Sequence, residues 1–101
     1  MYNIHTIQME VVWDTAKAGS NNRKHGISFS DAQVVFYDPR ALGIEDPDSE
    51  SESRFILVGA DSLGRLITVV YAYGDTVIRL ISARKATKSE SKIYERRIRF
   101  Q

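Results

Sequence analysis

The chain has 101 residues and a net charge of +1, with 14 lysines and arginines against 13 aspartates and glutamates and no cysteine. Its length predicts one domain over residues 1–101, and 43% hydrophobic with 27% charged residues is the composition of a globular protein. The lack of cysteine excludes disulfides, zinc–thiolate sites and a thiol nucleophile, and no apolar run is long enough to span a membrane.

The first quarter of the chain predicts a strand followed by a helix. Residues 1–8 lack the basic start and long apolar stretch of a secretory signal, so we expect a flexible leader on a cytoplasmic protein. Residues 9–13 are mostly β-branched and aromatic, which is typical of a strand. Asp14 is a candidate N-cap for a helix that runs to His25 and stops before Gly26.

A second helix and a short strand follow. Ser28 is a candidate N-cap, and apolar residues recur at helical spacing until Asp38-Pro39 ends the helix. Residues 41–45 predict a short strand. Residues 45–53 are acidic, rich in serine and interrupted by Pro47, which indicates a solvated, mobile loop.

Three more strands and a helix complete the prediction. The strands cover Arg54–Ala60, Arg65–Tyr73 and Thr76–Arg84, with turn residues at 61–64 and 74–75. Thr87 and Glu90 have the spacing of a capping box, which begins a helix that runs to Ile98. The order β-α-α-β-β-β-β-α predicts an α+β domain in which helices flank an antiparallel sheet meander.

The C-terminal end is basic on an otherwise acidic chain. Residues 1–78 have a charge balance of −5, whereas residues 79–101 carry 8 basic and 2 acidic side chains, a balance of +6. A basic end suits a polyanion or an acidic protein partner. A solvated basic helix explains the same charges equally well.

A two-residue turn at Gly74-Asp75 sets the predicted register of the last hairpin. Arg65 then lies opposite Arg84, and a four-residue turn at 61–64 puts Arg54 opposite Tyr71, on the same face as Arg65. Three arginines near strand ends on one face predict a phosphate site.

Arg79 falls on the other face in this register, in mid-strand among apolar residues. A guanidinium there needs a carboxylate, a carbonyl or a ligand phosphate, and Asp14 is one candidate partner. A slip of one residue reverses every one of these face assignments.

His25 beside Lys24 is the second candidate for chemistry. Histidine is the usual acid–base residue near neutral pH, and lysine can neutralise the charge that develops on a reacting phosphate. A histidine before Gly26 is more often a helix-terminal residue favoured by the helix dipole. Two histidines, His5 and His25, without a nearby carboxylate at ligand spacing predict no metal site. Tyr71, Tyr73 and Tyr94 either stack on bases or pack in the core.

Several motifs follow one another along the chain. The first block is Trp13-Asp14-x-x-Lys17-x-x-x-Asn21-x-x-Lys24-His25-Gly26-Ile27-Ser28-Phe29, followed by Ala32 and Val35-Phe36-x-Asp38-Pro39. The later blocks are Asp46-Pro47-Asp48, Arg54-Phe55, Val58-Gly59, Gly64-Arg65-Leu66, Ile78 to Thr87, Glu90 and Tyr94-Glu95. In this order the motifs resemble the BrnT toxins, and the resemblance covers Val12 to about Glu95. One departure is Ser53, where the family often has glutamate, with Glu52 one residue earlier.

The resemblance implies a toxin of a bacterial type II toxin–antitoxin pair with a RelE-like ribonuclease fold. It implies metal-independent RNA cleavage that inhibits translation, with no cofactor. The implied partner is a BrnA-type antitoxin, whose dimer holds two toxins and makes most of the contacts to operator DNA.

We therefore predict an endoribonuclease in which the 2′-OH of the RNA attacks the adjacent phosphate. This reaction needs a base, a cation and an acid. The predicted catalytic residues are Lys24, His25, Arg54, Arg65 and Arg79, and the predicted substrate-binding residues are Trp13, Arg84 and Tyr94. The alternative is a non-catalytic module whose basic end binds nucleic acid or an acidic partner.

Overall fold

The computed structural model describes residues 10–45 and 54–99, and its five strands form one sheet. The strands are β1 (Glu10–Val12), β2 (Leu42–Glu45), β3 (Arg54–Ala60), β4 (Leu66–Gly74) and β5 (Val77–Lys85). Their order across the sheet is β1-β5-β4-β3-β2. The predicted leader 1–8, the loop residues 46–53, the Asp46-Pro47-Asp48 motif, Glu52 and Ser53 lie outside the described residues.

Strands β2 to β5 form the predicted antiparallel meander, but β1 pairs with β5 in parallel. The prediction of a wholly antiparallel sheet was therefore wrong at this edge. Some sixty residues separate β1 from β5 in sequence, so no local turn sets the direction in which they pair.

Capping residues mark both ends of the first helix and the start of the second. They are α1 (Thr15–His25), α2 (Phe29–Ala32), a 3₁₀ helix (Gln33–Tyr37) and α3 (Lys88–Arg99). The Asp14 carboxylate accepts from two backbone N–H groups of the first turn of α1, and Gly26 ends the helix in the left-handed conformation with φ of 70°. The Ser28 hydroxyl accepts from the N–H of Asp31 at 3.0 Å. The second predicted helix is thus present as one α-helical turn continued by a 3₁₀ helix.

The two faces of the sheet are covered by different helices. We call the first the α1 face. There, buried side chains of the sheet pack against α2 and the residues around it. This core comprises Ile27, Phe29, Ala32, Val35, Ile67, Val69, Ile78, Leu80 and Ala83. The second, the α3 face, carries the buried Val58, Thr68 and Val70, and Thr68 donates to Glu90 of α3 at 2.8 Å. Away from bulges, successive strand residues point to opposite faces, so this division assigns the other strand side chains to a face.

The register of the β4–β5 hairpin differs from the prediction. Gly74 pairs with Val77, so the two turn residues are Asp75 and Thr76, with φ of 53° and 64°. Two central residues with positive φ are the signature of a type I′ turn. Ile81 has no partner in the pairing, and this bulge shifts the register by one further residue.

The predicted partners of Arg84 and Arg54 are both wrong. The hairpin register moves Arg84, and the β3–β4 connection, which covers residues 61–65 rather than 61–64, moves Arg54. Arg84 lies opposite Thr68 rather than Arg65, and Arg54 lies opposite Ala72 rather than Tyr71. Arg65 precedes β4 in the β3–β4 connection. Arg79 also lies opposite Ala72, so the prediction that separated it from Arg54 was wrong, and both arginines belong to the α3 face.

Candidate active site

Three of the predicted catalytic residues come together at the C-terminal end of α1. We call this site the α1 corner and define it as Lys24, His25, Gly26 and Arg65. Arg65 Nη1 donates to the carbonyl oxygen of Gly26 at 3.4 Å. Lys24 is exposed and His25 is half-buried, so both side chains can meet a ligand. The last turn of α1 also holds Arg23, and its basic residues suit the negative end of the helix dipole.

Two carboxylates fix Arg65 in the α1 corner. Arg65 Nε and Nη2 lie 2.8 and 2.7 Å from Asp61 Oδ2, and Nη2 lies 3.5 Å from Asp31. The Asp61 carboxylate is buried, and its other oxygen accepts from the N–H groups of Leu63 and Arg65. Both carboxylates therefore offset the charge of Arg65 and hold its guanidinium group against the carbonyl of Gly26.

A buried asparagine holds α1 in place. Asn21 Nδ2 donates to the carbonyl oxygens of Ile27 at 3.0 Å and Ala83 at 2.9 Å, and Asn21 Oδ1 accepts from the N–H of Ala83 at 3.1 Å. The side chain thus pairs with β5 as a neighbouring strand would. Nothing in the periodicity of α1 indicated this role, although Asn21 stands in the motif shared with the family resemblance.

Two other predicted catalytic residues form an arginine row on the α3 face. Arg54 and Arg79 both lie opposite Ala72, one on each side of β4. Neighbouring strands are spaced by 4.7–4.9 Å, so the two backbones are about 9.5 Å apart. Arg79 is exposed and Arg54 is half-buried. Two guanidinium groups on one face make this row a candidate site for RNA phosphates.

The α1 corner and the arginine row lie toward opposite ends of the sheet. Arg65 stands seven residues before Ala72, which corresponds to roughly 23 Å along an extended strand. One phosphate group cannot contact both sites at that separation. The structure therefore divides the predicted catalytic set into Lys24, His25 and Arg65 at one end and Arg54 and Arg79 toward the other.

Arg84 and Glu90 link β5 to α3. Arg84 Nη1 and Nη2 donate to the two carboxylate oxygens of Glu90 at 2.9 and 3.0 Å. Glu90 also accepts from the hydroxyl of Thr68 and from the N–H of Thr87, and the Thr87 hydroxyl accepts from the N–H of Glu90, which confirms the capping box. Burial opposes ionisation of Glu90, but the hydrogen bonds from Arg84, Thr87 and Thr68 outweigh it and lower the pKa of Glu90 to about 2.

Tyr94 and Trp13, the other predicted substrate-binding residues, also make internal contacts. The Tyr94 hydroxyl donates to Asp38 Oδ2 at 2.6 Å, and burial together with this carboxylate raises the pKa of Tyr94 to about 12. Trp13 packs edge-on against Phe29, with ring centroids 6.0 Å apart. These contacts join α3 to the end of the 3₁₀ helix and β1 to the core.

The Arg84–Glu90 link predicts how stability depends on pH. We expect Glu90→Gln to lower the free energy of unfolding at pH 7 by about 2 kcal/mol. The pKa of Glu90 is lower in the folded state, so its contribution is full above pH 4.5 and is lost as the pH falls toward 2. Urea unfolding of both proteins at several pH values between 2 and 7 measures this. If the free energies of unfolding of the wild type and Glu90→Gln differed by the same amount down to pH 2, the ionised carboxylate of Glu90 would not be what stabilises the fold.

The residues that the structure describes include no cluster of three or more histidine, aspartate or glutamate side chains placed to hold a metal ion. Within the same residues, no helix is long and apolar enough to cross a membrane.

The fold is a small α+β domain with a five-stranded sheet and basic residues at both ends of it. The structure is similar to the 1.1 Å crystal structure of the Brucella abortus ribonuclease toxin BrnT, with 24% sequence identity and a TM-score of 0.62 over 80% of this chain and 100% of that one. Residues 13–90 match the family model of the ribonuclease toxin BrnT of type II toxin–antitoxin systems. The chain therefore belongs to the BrnT family. A search of curated proteins gives no match. Membership of a type II toxin family implies an antitoxin partner.

Proposed function

We propose that this protein cleaves RNA without a metal ion, through attack of the RNA's own 2′-OH on the adjacent phosphate. The α1 corner carries the proposal, because Lys24, His25 and the Gly26 carbonyl contacted by Arg65 lie together there. An imidazole can transfer protons, and an ammonium can offset the charge that develops on phosphoryl oxygens.

In the proposed reaction, the imidazole of His25 accepts the proton of the 2′-OH as the 2′-oxygen bonds to phosphorus. The bond from phosphorus to the 5′-oxygen breaks, and the imidazolium returns the proton to that leaving oxygen. Lys24 stabilises the negative charge on the phosphoryl oxygens, and Arg65 holds the helix end on which both residues stand. The products are a 2′,3′-cyclic phosphate and a 5′-hydroxyl.

We further propose that the protein acts in the cytoplasm with a RelE-like fold, that cleavage inhibits translation, and that a BrnA-type antitoxin neutralises it. In this proposal an antitoxin dimer holds two toxins and makes most of the operator contacts. The BrnT family match and the basic C-terminal segment support a partner of this kind.

Incubation of the purified protein with RNA in EDTA tests the reaction. We expect cleavage, with cyclic or 3′-phosphate ends on the upstream fragments and 5′-hydroxyl ends on the downstream ones. Intact RNA that the protein nevertheless binds in a salt-sensitive manner would favour the alternative, a non-catalytic nucleic-acid-binding module.

We propose that the arginine row binds other phosphates of the same RNA, and not the phosphate that reacts. We expect Arg79→Ala to weaken RNA binding by a similar factor for different sequences and to reduce the slope of log affinity against log salt by about 0.7. Titration of a labelled oligonucleotide at several salt concentrations measures both quantities.

Arg40→Ala is a matched control for this titration, because Arg40 is an exposed arginine outside the arginine row. It should leave the slope closer to the wild-type value than Arg79→Ala does. Equal slopes for wild type and Arg79→Ala would remove Arg79 from the phosphate contacts.

A further inference from the structure

The β3–β4 connection closes on the carboxylate of Asp61, whose side chain is fully buried. Asp61 Oδ1 accepts from the N–H groups of Leu63 at 3.0 Å and Arg65 at 2.9 Å. The backbone closes the same turn, because the N–H of Asp61 donates to the carbonyl of Arg65 and the N–H of Gly64 donates to the carbonyl of Asp61. Gly64 has a positive φ of 78°, which glycine adopts without strain. The connection is therefore a tight turn built around one carboxylate.

The second oxygen of that carboxylate sets the direction of the Arg65 side chain. Asp61 Oδ2 lies 2.8 Å from Arg65 Nε and 2.7 Å from Nη2. A guanidinium group is planar and rigid, so two fixed nitrogens also fix the third. That third nitrogen, Nη1, donates to the carbonyl oxygen of Gly26. Through one side chain, Asp61 thus acts on the residue that directly follows His25.

The same connection also holds the start of α2. The Ser62 hydroxyl donates to Asp31 Oδ1 at 2.7 Å, and the N–H of Asp31 donates to the Ser28 hydroxyl that caps α2. The short segment between α1 and α2 is therefore held at both ends by residues 61–65. Because His25 is the last residue of α1, its position depends on this connection.

Stability alone is a poor explanation for the buried carboxylate of Asp61. Removing a charge from water is costly, and apolar side chains of similar volume often stabilise a fold as well as a buried ion pair does. What a carboxylate and a guanidinium add is a fixed direction, because charge-assisted hydrogen bonds have a narrow geometry. Here that direction ends at the helix end that carries Lys24 and His25.

We propose that Asp61 is a positioning residue for RNA cleavage, which acts through Arg65 to hold the end of α1 where Lys24 and His25 meet the reacting phosphate. The inference rests on the proposed function for the reaction that it serves. Asp61 does not touch the RNA, because its carboxylate is fully buried. Its contribution is to keep the imidazole and the ammonium group in their reactive positions.

Asp61→Asn tests this role, because it keeps an oxygen for the N–H groups of Leu63 and Arg65 but removes the charge that binds the guanidinium. We expect kcat for RNA cleavage to fall about 10- to 100-fold, since small displacements of reacting groups have effects of that size. RNA affinity should change little. Single-turnover cleavage and oligonucleotide titration measure the two quantities. Asp75→Asn makes the same change at an exposed aspartate in the β4–β5 turn and should leave kcat unchanged.

A double-mutant cycle with Arg65→Gln separates positioning from a general loss of stability. Arg65→Gln leaves the buried carboxylate without its guanidinium, so it should unfold at a lower urea concentration, and adding Asp61→Asn should recover part of that loss. The double variant should nevertheless cleave as slowly as Arg65→Gln alone, because Asp61 acts only through Arg65. Additive losses in kcat, or cleavage that recovers together with stability, would contradict the proposed role.

NMR spectra of the free protein make this test independent of the reaction. Asp61→Asn and Arg65→Gln should both shift the amide signal of Gly26 and the imidazole signals of His25, whereas Asp75→Asn should shift neither. If these shifts are found but the wild type leaves RNA intact in EDTA, the proposed reaction is wrong and the positioning of His25 by Asp61 stands. Unshifted His25 signals, or cleavage by Asp61→Asn at the wild-type kcat, would overturn the inference and leave the proposed reaction in place.

Discussion

Replacement of His25 by alanine is expected to lower kcat for RNA cleavage by about 10²- to 10⁴-fold, because no proton acceptor then stands beside Lys24 at the α1 corner. RNA affinity should change little, since the arginine row lies roughly 23 Å away along the strands. Single-turnover cleavage and oligonucleotide titration of the same variant measure the two effects separately. Arg79→Ala should show the opposite pattern, a weakened affinity with a smaller loss in the rate of the bound complex.

His5→Ala is the matched control for this experiment, because it removes the other histidine, to which the proposal gives no role. It should cleave at the wild-type rate. Wild-type cleavage by His25→Ala would exclude the α1 corner as the reaction site and leave the arginine row as the remaining candidate.

The second large effect is expected on stability. Asn21→Leu should lower the free energy of unfolding by about 3 kcal/mol, because it removes three buried hydrogen bonds. The carbonyl groups of Ile27 and Ala83 and the N–H of Ala83 would each lose the Asn21 partner. Denaturant unfolding at pH 7 measures the loss.

Asn22→Leu is the natural comparison, since Asn22 is the exposed neighbour of Asn21 on the same helix. Its expected effect is within about 0.5 kcal/mol. Asn21→Asp is a second variant, which keeps the acceptor for Ala83 but loses both donors and should also destabilise the protein. If Asn21→Leu and Asn21→Asp were as stable as the wild type, the side-chain bridge between α1 and β5 would not be what holds the corner.

Local chemistry is the part of the fold that the sequence predicts well. Strand β3 is found over Arg54–Ala60 as predicted, and the caps Asp14 and Ser28 and the stop at Gly26 are confirmed. Each of these features depends on residues within a few positions of one another. Capping side chains and glycine act on the backbone beside them, so the sequence alone is enough to identify them.

Register depends on choices that the sequence does not display. Gly74-Asp75 is the better turn pair by residue type, but the turn uses Asp75 and Thr76, although a β-branched residue at positive φ is uncommon. The bulge at Ile81 adds a second shift that the alternation of side chains did not indicate. Together they moved Arg84 from Arg65 to Thr68. A separate shift of one residue in the β3–β4 pairing brought Arg54 onto the face of Arg79.

The sequence named candidate residues for a site but did not give their arrangement. Lys24 and His25 were identified as a pair because they are adjacent in the chain, whereas the contact of Arg65 with Gly26 depends on the carboxylate of Asp61 in the β3–β4 connection. Arg84, predicted to bind substrate, makes a two-point contact with Glu90 that the sequence did not indicate. Residue type suggests a cation for phosphate, but only the fold shows which cations already have a carboxylate beside them.

The most direct test of the account is a single-atom change in the RNA. After the cleaved position has been mapped in EDTA, an oligonucleotide with 2′-deoxyribose at that nucleotide alone removes the attacking oxygen and keeps every phosphate and base. The account predicts that the wild-type protein binds this oligonucleotide as it binds the all-ribose one and does not cleave it at that position. Cleavage of the deoxy linkage at an undiminished rate would contradict attack by the 2′-OH.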